Sequence, residues 1–245
     1  MIRSIMEIKG YDLEASEGGF GKVSDLLFDE NLWIARYLVA DTGGWLSGRR
    51  VLLPPTVLGQ PRWKDRVMPV SLRKEDIENS PTLDEHAPVS RQHEIDLHGS
   101  WGAQPYWVGG IAGGVYPVPK NAERIQQAAD VDADPFLRSV NEVRGYGISA
   151  TDDDIGEVVD FLIDDETWVI RYLVADTRKW LPGKKVLIPL IWIVSISWAE
   201  KTVGVDVTRD KVKDSPEFDP SLPINREQED VLYDYYGRQK YWLAK

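Results

Sequence analysis

Cysteine is absent from the 245 residues. Structural disulfides, thiol nucleophiles and thiolate metal sites are excluded with it, and a reducing compartment suits the chain. Histidine is scarce: His86, His93 and His98 are the three present. No apolar run approaches the roughly 18 residues of a membrane span. Met1-Ile2-Arg3-Ser4-Ile5-Met6-Glu7 lacks the apolar centre of a signal peptide. The expectation is therefore a soluble, cytoplasmic protein without direct membrane insertion. Basic residues are outnumbered, 29 Lys and Arg against 40 Asp and Glu, for a net charge of −11. With no clustered Lys/Arg face to release counterions, nucleic acid is disfavoured as a partner, and so is an anionic lipid surface. The expected partners are proteins.

What is present is a duplication. Residues 8–107 reappear without a gap at 143–242, at a constant offset of 135: Gly10 and Gly145, Gly21 and Gly156, Trp33 and Trp168, Asp41 and Asp176, Trp107 and Trp242. A period this long is far outside the roughly 20–50 residues of solenoid repeats, so each copy is expected to close its own core. The expected organisation is a first module at 1–108, a Gly/Pro-rich linker with a short helix at 109–141, and a second module at 142–245. A residue kept in both copies serves something both share. Most of the shared set is apolar, Gly or Pro, as expected of a fold rather than of a site.

Each module is read as six short strands. The first is placed at Met6–Tyr11 or Glu142–Tyr146. The second begins near Val23 or Val158 with period-two burial of Leu26 and Phe28, or Phe161 and Ile163. Asp29-Glu30-Asn31 and Asp164-Asp165-Glu166 carry turn chemistry into a third strand, Trp33–Asp41 or Trp168–Asp176. Val51–Pro54 or Val186–Pro189 is the fourth, and two more lie near Trp63 and Val70, or Trp198 and Val205. Many short strands interrupted by Gly and Pro favour a closed or nearly closed antiparallel sheet. One turn of helix is expected at Arg73–Asn79 and at Thr208–Asp214. A short C-terminal helix is expected to open at Ser90 and Asn225, with a terminal Tyr-Trp pair packing back on the module. The fold class is mainly β: two tandem small antiparallel barrels, each with a helical appendage.

The run Gly21-Lys22-Val23-Ser24-Asp25-Leu26-Leu27-Phe28-Asp29, the strand Tyr37-Leu38-Val39-Ala40-Asp41 and the strand Arg49-Arg50-Val51-Leu52-Leu53-Pro54 resemble the PRC-barrel family. So do their counterparts at 156–164, 172–176 and 184–189. The family takes its name from the cytoplasmic domain of the photosynthetic reaction-centre H subunit. The resemblance implies a small β-barrel used for assembly or interaction, as in the H subunit and the RimM-type ribosome-maturation factor, and it implies no chemistry. These 245 residues show neither a transmembrane anchor like that of the former nor a separate N-terminal barrel and basic character like those of the latter, so neither specific role is expected.

Several motifs suggest chemistry. Asp41-Thr42-Gly43 matches the Asp-Thr-Gly of aspartic proteases, in which two carboxylates share a proton. The second copy reads Asp176-Thr177-Arg178, losing the glycine, and the plainer reading is a strand ending in a turn. Asp152-Asp153-Asp154 with Glu157 gathers hard oxygen ligands suited to calcium, but the first copy has Glu17, Gly18 and Gly19 there and the spacing is not that of an EF-hand. The histidines, His93 and His98 five apart, suit one helical face poorly and read as solvent-facing rather than as zinc ligands. Gly109-Gly110 and Gly113-Gly114 lack a following Gly-Lys-Ser/Thr, and Gly-x-Ser-x-Gly is absent. Asp25 and Arg36, repeated as Asp160 and Arg171, read as a cross-strand ion pair. Trp45 and Trp180, in loops beyond the third strand, are the candidate interface residues.

The reading is a non-catalytic, protein-binding or assembly adaptor without cofactor or metal. By analogy with the H subunit, association with a photosynthetic or other membrane electron-transfer complex is a variant. The rivals are an aspartyl hydrolase using Asp41 and Asp176, and a RimM-type ribosome-assembly factor. Two partners engaged through the linker and self-association into a homodimer both remain open.

Overall fold

The structure is a computed structural model that describes residues 1–81, 89, 91–102, 137–177, 184–220 and 224–243, with backbone alone for 91–93. The expected linker helix at 121–129, Tyr106, Trp107, Trp180, His86 and the cap at Ser90 lie outside the described residues. The chain divides into two compact units: residues 8–139, and residues 140–245 together with 1–7.

The first unit is built on β2 (Asp12–Ala15), β3 (Gly18–Asp29), β4 (Ile34–Asp41), β5 (Arg50–Leu53) and β6 (Val67–Pro69), in the order β5-β4-β3-β2-β6. The second repeats this with β8 (Gly147–Ser149), β9 (Asp154–Asp164), β10 (Ile170–Asp176), β11 (Lys185–Pro189), β12 (Ile193–Ser197) and β13 (Thr202–Val205), in the order β11-β10-β9-β8-β13-β12. The β3–β4 hairpin turns as expected. Asp29 Oδ1 accepts the N–H groups of Asn31 and Leu32 at 2.9 and 3.0 Å, and Asp164 Oδ1 accepts those of Glu166 and Thr167 at 3.0 and 3.1 Å. The matched glycines permit a close approach: a Cβ on Gly21 or Gly156 would collide with the backbone carbonyl of Asp41 or Asp176.

Two expectations are corrected. The structure is mainly β as read, but the sheets are not closed barrels, because among the described residues β5 and β6, or β11 and β12, end the strand order without pairing with each other. The proline after β5 and the one ending β11 are each followed by a turn of 3-10 helix, Pro55–Val57 and Leu190–Trp192, so neither strand runs on to the far edge. Nor are the sheets wholly antiparallel, since β2 pairs with β6, and β13 with β8, in parallel.

The first strands also lie elsewhere than expected. Met6–Tyr11 and Glu142–Tyr146 overlap helical turns, α1 (Ile5–Ile8) and α4 (Val140–Val143). The Ser4 hydroxyl accepts the Glu7 N–H at 3.0 Å, capping the turn, and Ile5 and Ile8 share its buried side at helical spacing. The strands themselves precede these turns: β1 (Ile2–Ser4) and β7 (Leu137–Ser139). They are exchanged. β1, at the start of the chain, pairs with β9 of the second unit, while β7, which leads into the second repeat, pairs with β3 of the first. The expected boundaries at 108 and 142 leave out this crossing.

The exchange is sealed identically in both units. The Ser4 hydroxyl donates to Asp160 Oδ2 at 2.5 Å, and the Ser139 hydroxyl donates to Asp25 Oδ2 at 2.5 Å. Asp25 and Asp160 thus anchor the incoming strands, and Arg36 meets Asp29, at 3.3 Å. Each core is filled by matched pairs: Tyr11 and Tyr146, Leu26 and Phe161, Tyr37 and Tyr172, Leu53 and Ile188, Ile77 and Val212, all essentially inaccessible. Among the described residues no helix is long and apolar enough to cross a membrane.

Candidate functional site

Both units keep a buried Tyr-Glu pair. Tyr37 on β4 meets α3 (Arg91–Trp101), whose Glu94, Leu97 and His98 fall on one face at helical spacing. The Tyr37 hydroxyl donates to Glu94 Oε1 at 2.6 Å and lies 3.2 Å from His98 Nε2. Glu94 and His98 are buried, and burial lowers the His98 pKa, favouring neutral imidazole. Val39, Leu52, Val89 and Leu97 complete the apolar surround, with Trp101 packed against it.

In the second unit Tyr172 donates to Glu229 Oε1 at 2.6 Å from α6 (Arg226–Tyr236). Tyr241 donates to the same oxygen at 2.9 Å, and Arg226 pairs with Oε2 at 2.9 Å. Tyr233 stands where the first unit has His98. Burial first, then Glu229, raises the Tyr172 phenol far above its ordinary range and pushes Tyr241 up to about 12. Both phenols therefore remain donors to the carboxylate. Asn225 caps this helix reciprocally with Gln228, at 3.0 and 2.9 Å. Trp242 lies 5.1 Å from the Tyr233 ring, the expected return of the terminal pair. These clusters clamp a helix to a sheet, and sequence reasoning missed them because a Glu in a polar helix reads as solvated. The repetition of Tyr37 with Glu94 at Tyr172 and Glu229 was the available signal.

A cleft of about 430 Å³ opens in the second unit, lined by Ser4, Met6, Arg144, Asp160, Asp176, Lys184, Lys185 and Phe218 among others. Burial pushes the Asp160 carboxyl up. The bonds from Ser4, Phe161 N–H and Met6 N–H and the charge of Arg144 pull it back down. Lys184 donates to the Lys213 carbonyl, as Arg49 does to that of Glu78 at 2.7 Å, so this cation ties a helix in both copies.

The residues singled out from sequence fall as follows. Asp41 lies in the first unit, where its Oδ1 accepts the Gly43 N–H at 2.8 Å, and Asp176 is buried in the second. The acidic loop clasps the helical turn α5 (Arg209–Lys213): Asp152 Oδ1 accepts the Arg209 N–H at 2.8 Å and Asp153 pairs with the Arg209 side chain. Glu17 does the same work in the first unit, accepting the Lys74 N–H at 3.0 Å, and this bond holds its carboxyl below the ordinary range. No cluster of three or more metal-ligating side chains occurs among the described residues. His98, read as solvent-facing, is buried, because its helix turns that face to the sheet. Trp45 is 37 % exposed, edge-on to Phe20 at 6.1 Å, with Lys74 Nζ 5.4 Å from its ring centre. Its counterpart Trp180 lies outside the described residues.

Residues 138–212 match the model of the PRC-barrel domain. The matched segment begins within the exchanged strand β7 and ends in α5. No curated protein matches the chain.

Proposed function

We propose, from the match of residues 138–212 to the PRC-barrel domain, that the chain is a non-catalytic adaptor of two such modules, the other being the repeat at 8–107. It holds a protein partner through the aromatic surface at Trp45. The observation that carries this reading is Trp45 itself: an indole 37 % exposed, braced by Phe20 and covered on one face by Lys74. A large aromatic with a rigid seat and an open side is the residue type that anchors protein interfaces. Asp41, which suggested an enzyme, sits in a turn with Gly43, and the 152–154 loop, which suggested calcium, is clasped to Arg209. The test is capture of partners by the full chain carrying Trp45→Ala or Trp45→Phe. Loss of a captured protein with Ala and its retention with Phe is expected. Equal capture by wild type and the Ala variant overturns the assignment of Trp45.

A further inference from the structure

A second cleft of the second unit, about 350 Å³ in volume, is lined by β11, the loop at 216–219 and the first turns of α6. Its floor is apolar: Leu187, Phe218, Ile224 and Leu232 are all buried. The walls are fixed. The Phe218 N–H donates to the Lys185 carbonyl at 2.9 Å, holding the loop to β11, and Asn225 caps α6. The charged residues around the cleft are Glu217, Asp219 and Glu227, each exposed, and among the described residues no Lys or Arg lines it. Beside them Val231 is 58 % exposed.

The first copy has the same floor in sequence and a different rim. Leu187, Phe218, Ile224 and Leu232 correspond to Leu52, Leu83, Val89 and Leu97, apolar throughout. Glu217, Glu227 and Val231 correspond to Thr82, Gln92 and Asp96, so Asp219 alone of the rim is kept, as Asp84. The floor therefore belongs to the fold and the rim to this copy. Folding does not ask for such a rim. Valine is a poorer helix former than leucine, lysine or glutamate, and an exposed one adds little to a core. The helix dipole accounts for Glu227, in the first turn of α6, but not for Glu217 in the loop. A cleft with low-dielectric walls and charge of one sign focuses its field on whatever enters. The start of α6 offers roughly half a positive charge against it, and the carboxylates outweigh that.

We propose that this cleft docks a protein partner through a short basic segment, whose apolar side chain sits on the floor against Val231 and whose flanking Lys or Arg residues meet Glu217, Asp219 and Glu227. Charge selects this occupant. An acidic segment is repelled by the rim, and a neutral apolar one takes water from the carboxylates without offering them a partner. The volume lies at the low end of the roughly 300–1,000 Å³ of ligand clefts, so the site accepts a side chain or two and binding is weak and salt-dependent. Trp45 belongs to the other unit, and the cleft acts whether or not Trp45 binds.

Amide chemical shifts of the full chain, titrated to millimolar concentration with blocked peptides of sequence Arg-Leu-Arg, Glu-Leu-Glu and Arg-Gly-Arg, test the proposal. Arg-Leu-Arg is expected to shift residues 216–219 and 224–232 saturably, and less in high salt. The other two peptides are expected to bind about tenfold more weakly or not at all. Glu217→Thr with Glu227→Gln copies the rim of the first unit and lowers the affinity for Arg-Leu-Arg by about tenfold. Both positions are exposed, and thermal melts verify that this variant folds. Trp45→Ala leaves the titration unchanged, so a failure here is distinct from a failure of the Trp45 surface. Absence of a saturable shift at 216–219 and 224–232 overturns the proposal. Equal binding of Arg-Gly-Arg, which is charge attraction alone, also overturns it, as do shifts of these residues on concentrating the chain without peptide, which would place a second copy in the cleft.

Discussion

The two units solve one problem with different residues. Each docks a helix onto its sheet by burying a glutamate under a tyrosine hydroxyl, Glu94 under Tyr37 and Glu229 under Tyr172, both at 2.6 Å. Beside that shared bond the first unit places His98 where the second places Tyr233, while Tyr241 and Arg226, which also hold Glu229, are matched in sequence by Tyr106 and Arg91. One buried position beside the bond changed identity, His98 to Tyr233. The larger divergence is outside, where one copy has Pro61 and Arg62 and the other an uncharged strand, β12. Shared residues report on folding, and exposed differences report on what each copy does for the whole chain.

The exchange gives the sharpest way to break the comparison. Arg3→Pro disrupts β1, which belongs to the sheet of the second unit. Its damage, on the order of 1–3 kcal/mol for a lost ladder hydrogen bond, is expected in hydrogen exchange of residues 154–176, over a hundred positions away in sequence, rather than in residues 18–41. Arg138→Pro, in β7, is expected to do the reverse. Damage confined to each variant's own repeat contradicts the exchange.

The clamps give the next comparison. Tyr37→Phe removes a hydroxyl that meets two buried groups, Glu94 and His98, and about 2 kcal/mol is expected to go with it. Tyr172→Phe removes the matching bond to Glu229, and a comparable loss of about 2 kcal/mol is expected. Denaturant melts of the two variants measure both losses, and a loss near zero in either would show that its tyrosine does not hold the helix.

Acid should separate the units next. The folded pKa of His98 lies below its ordinary 6.5, so the unfolded chain takes up this proton first, and the first unit loses stability as pH falls below that value. Tyr233 gives the second unit no such loss. Asp160 has the opposite sign: its raised folded pKa makes protonation favour the folded second unit as pH falls through it. Exchange rates of the two units on acidification report the divergence, and His98→Tyr should remove the share of the first unit. The smallest effect belongs to Trp45→Ala, below about 1 kcal/mol in stability, since its ring is partly in solvent.

Features written in neighbouring residues were legible in the sequence. The Asp29 and Asp164 turns, the Asn225 cap and the helical turn α5 all follow from side chains bonding to their own backbone. The exchange was not legible. Ile2-Arg3-Ser4 matches Leu137-Arg138-Ser139, but three residues carry no information about which of two equivalent edges they join. Met6–Tyr11 misled because an apolar residue every third position over a single turn also passes for strand alternation. The parallel pairs β2–β6 and β8–β13 escaped because hydrophobic period fixes which face is buried and not strand direction. Glu94 and Glu229 were hidden because their tyrosine partners lie 57 residues away.

A chain without cysteine allows the exchange to be tested by one crosslink. Arg3 lies across from Ile163 in register, while the place equivalent to Ile163 in the first unit, Phe28, lies across from Arg138. Arg3→Cys with Ile163→Cys should oxidise to an intrachain disulfide, and Arg3→Cys with Phe28→Cys should not. The reverse outcome would mean that each repeat keeps its own first strand.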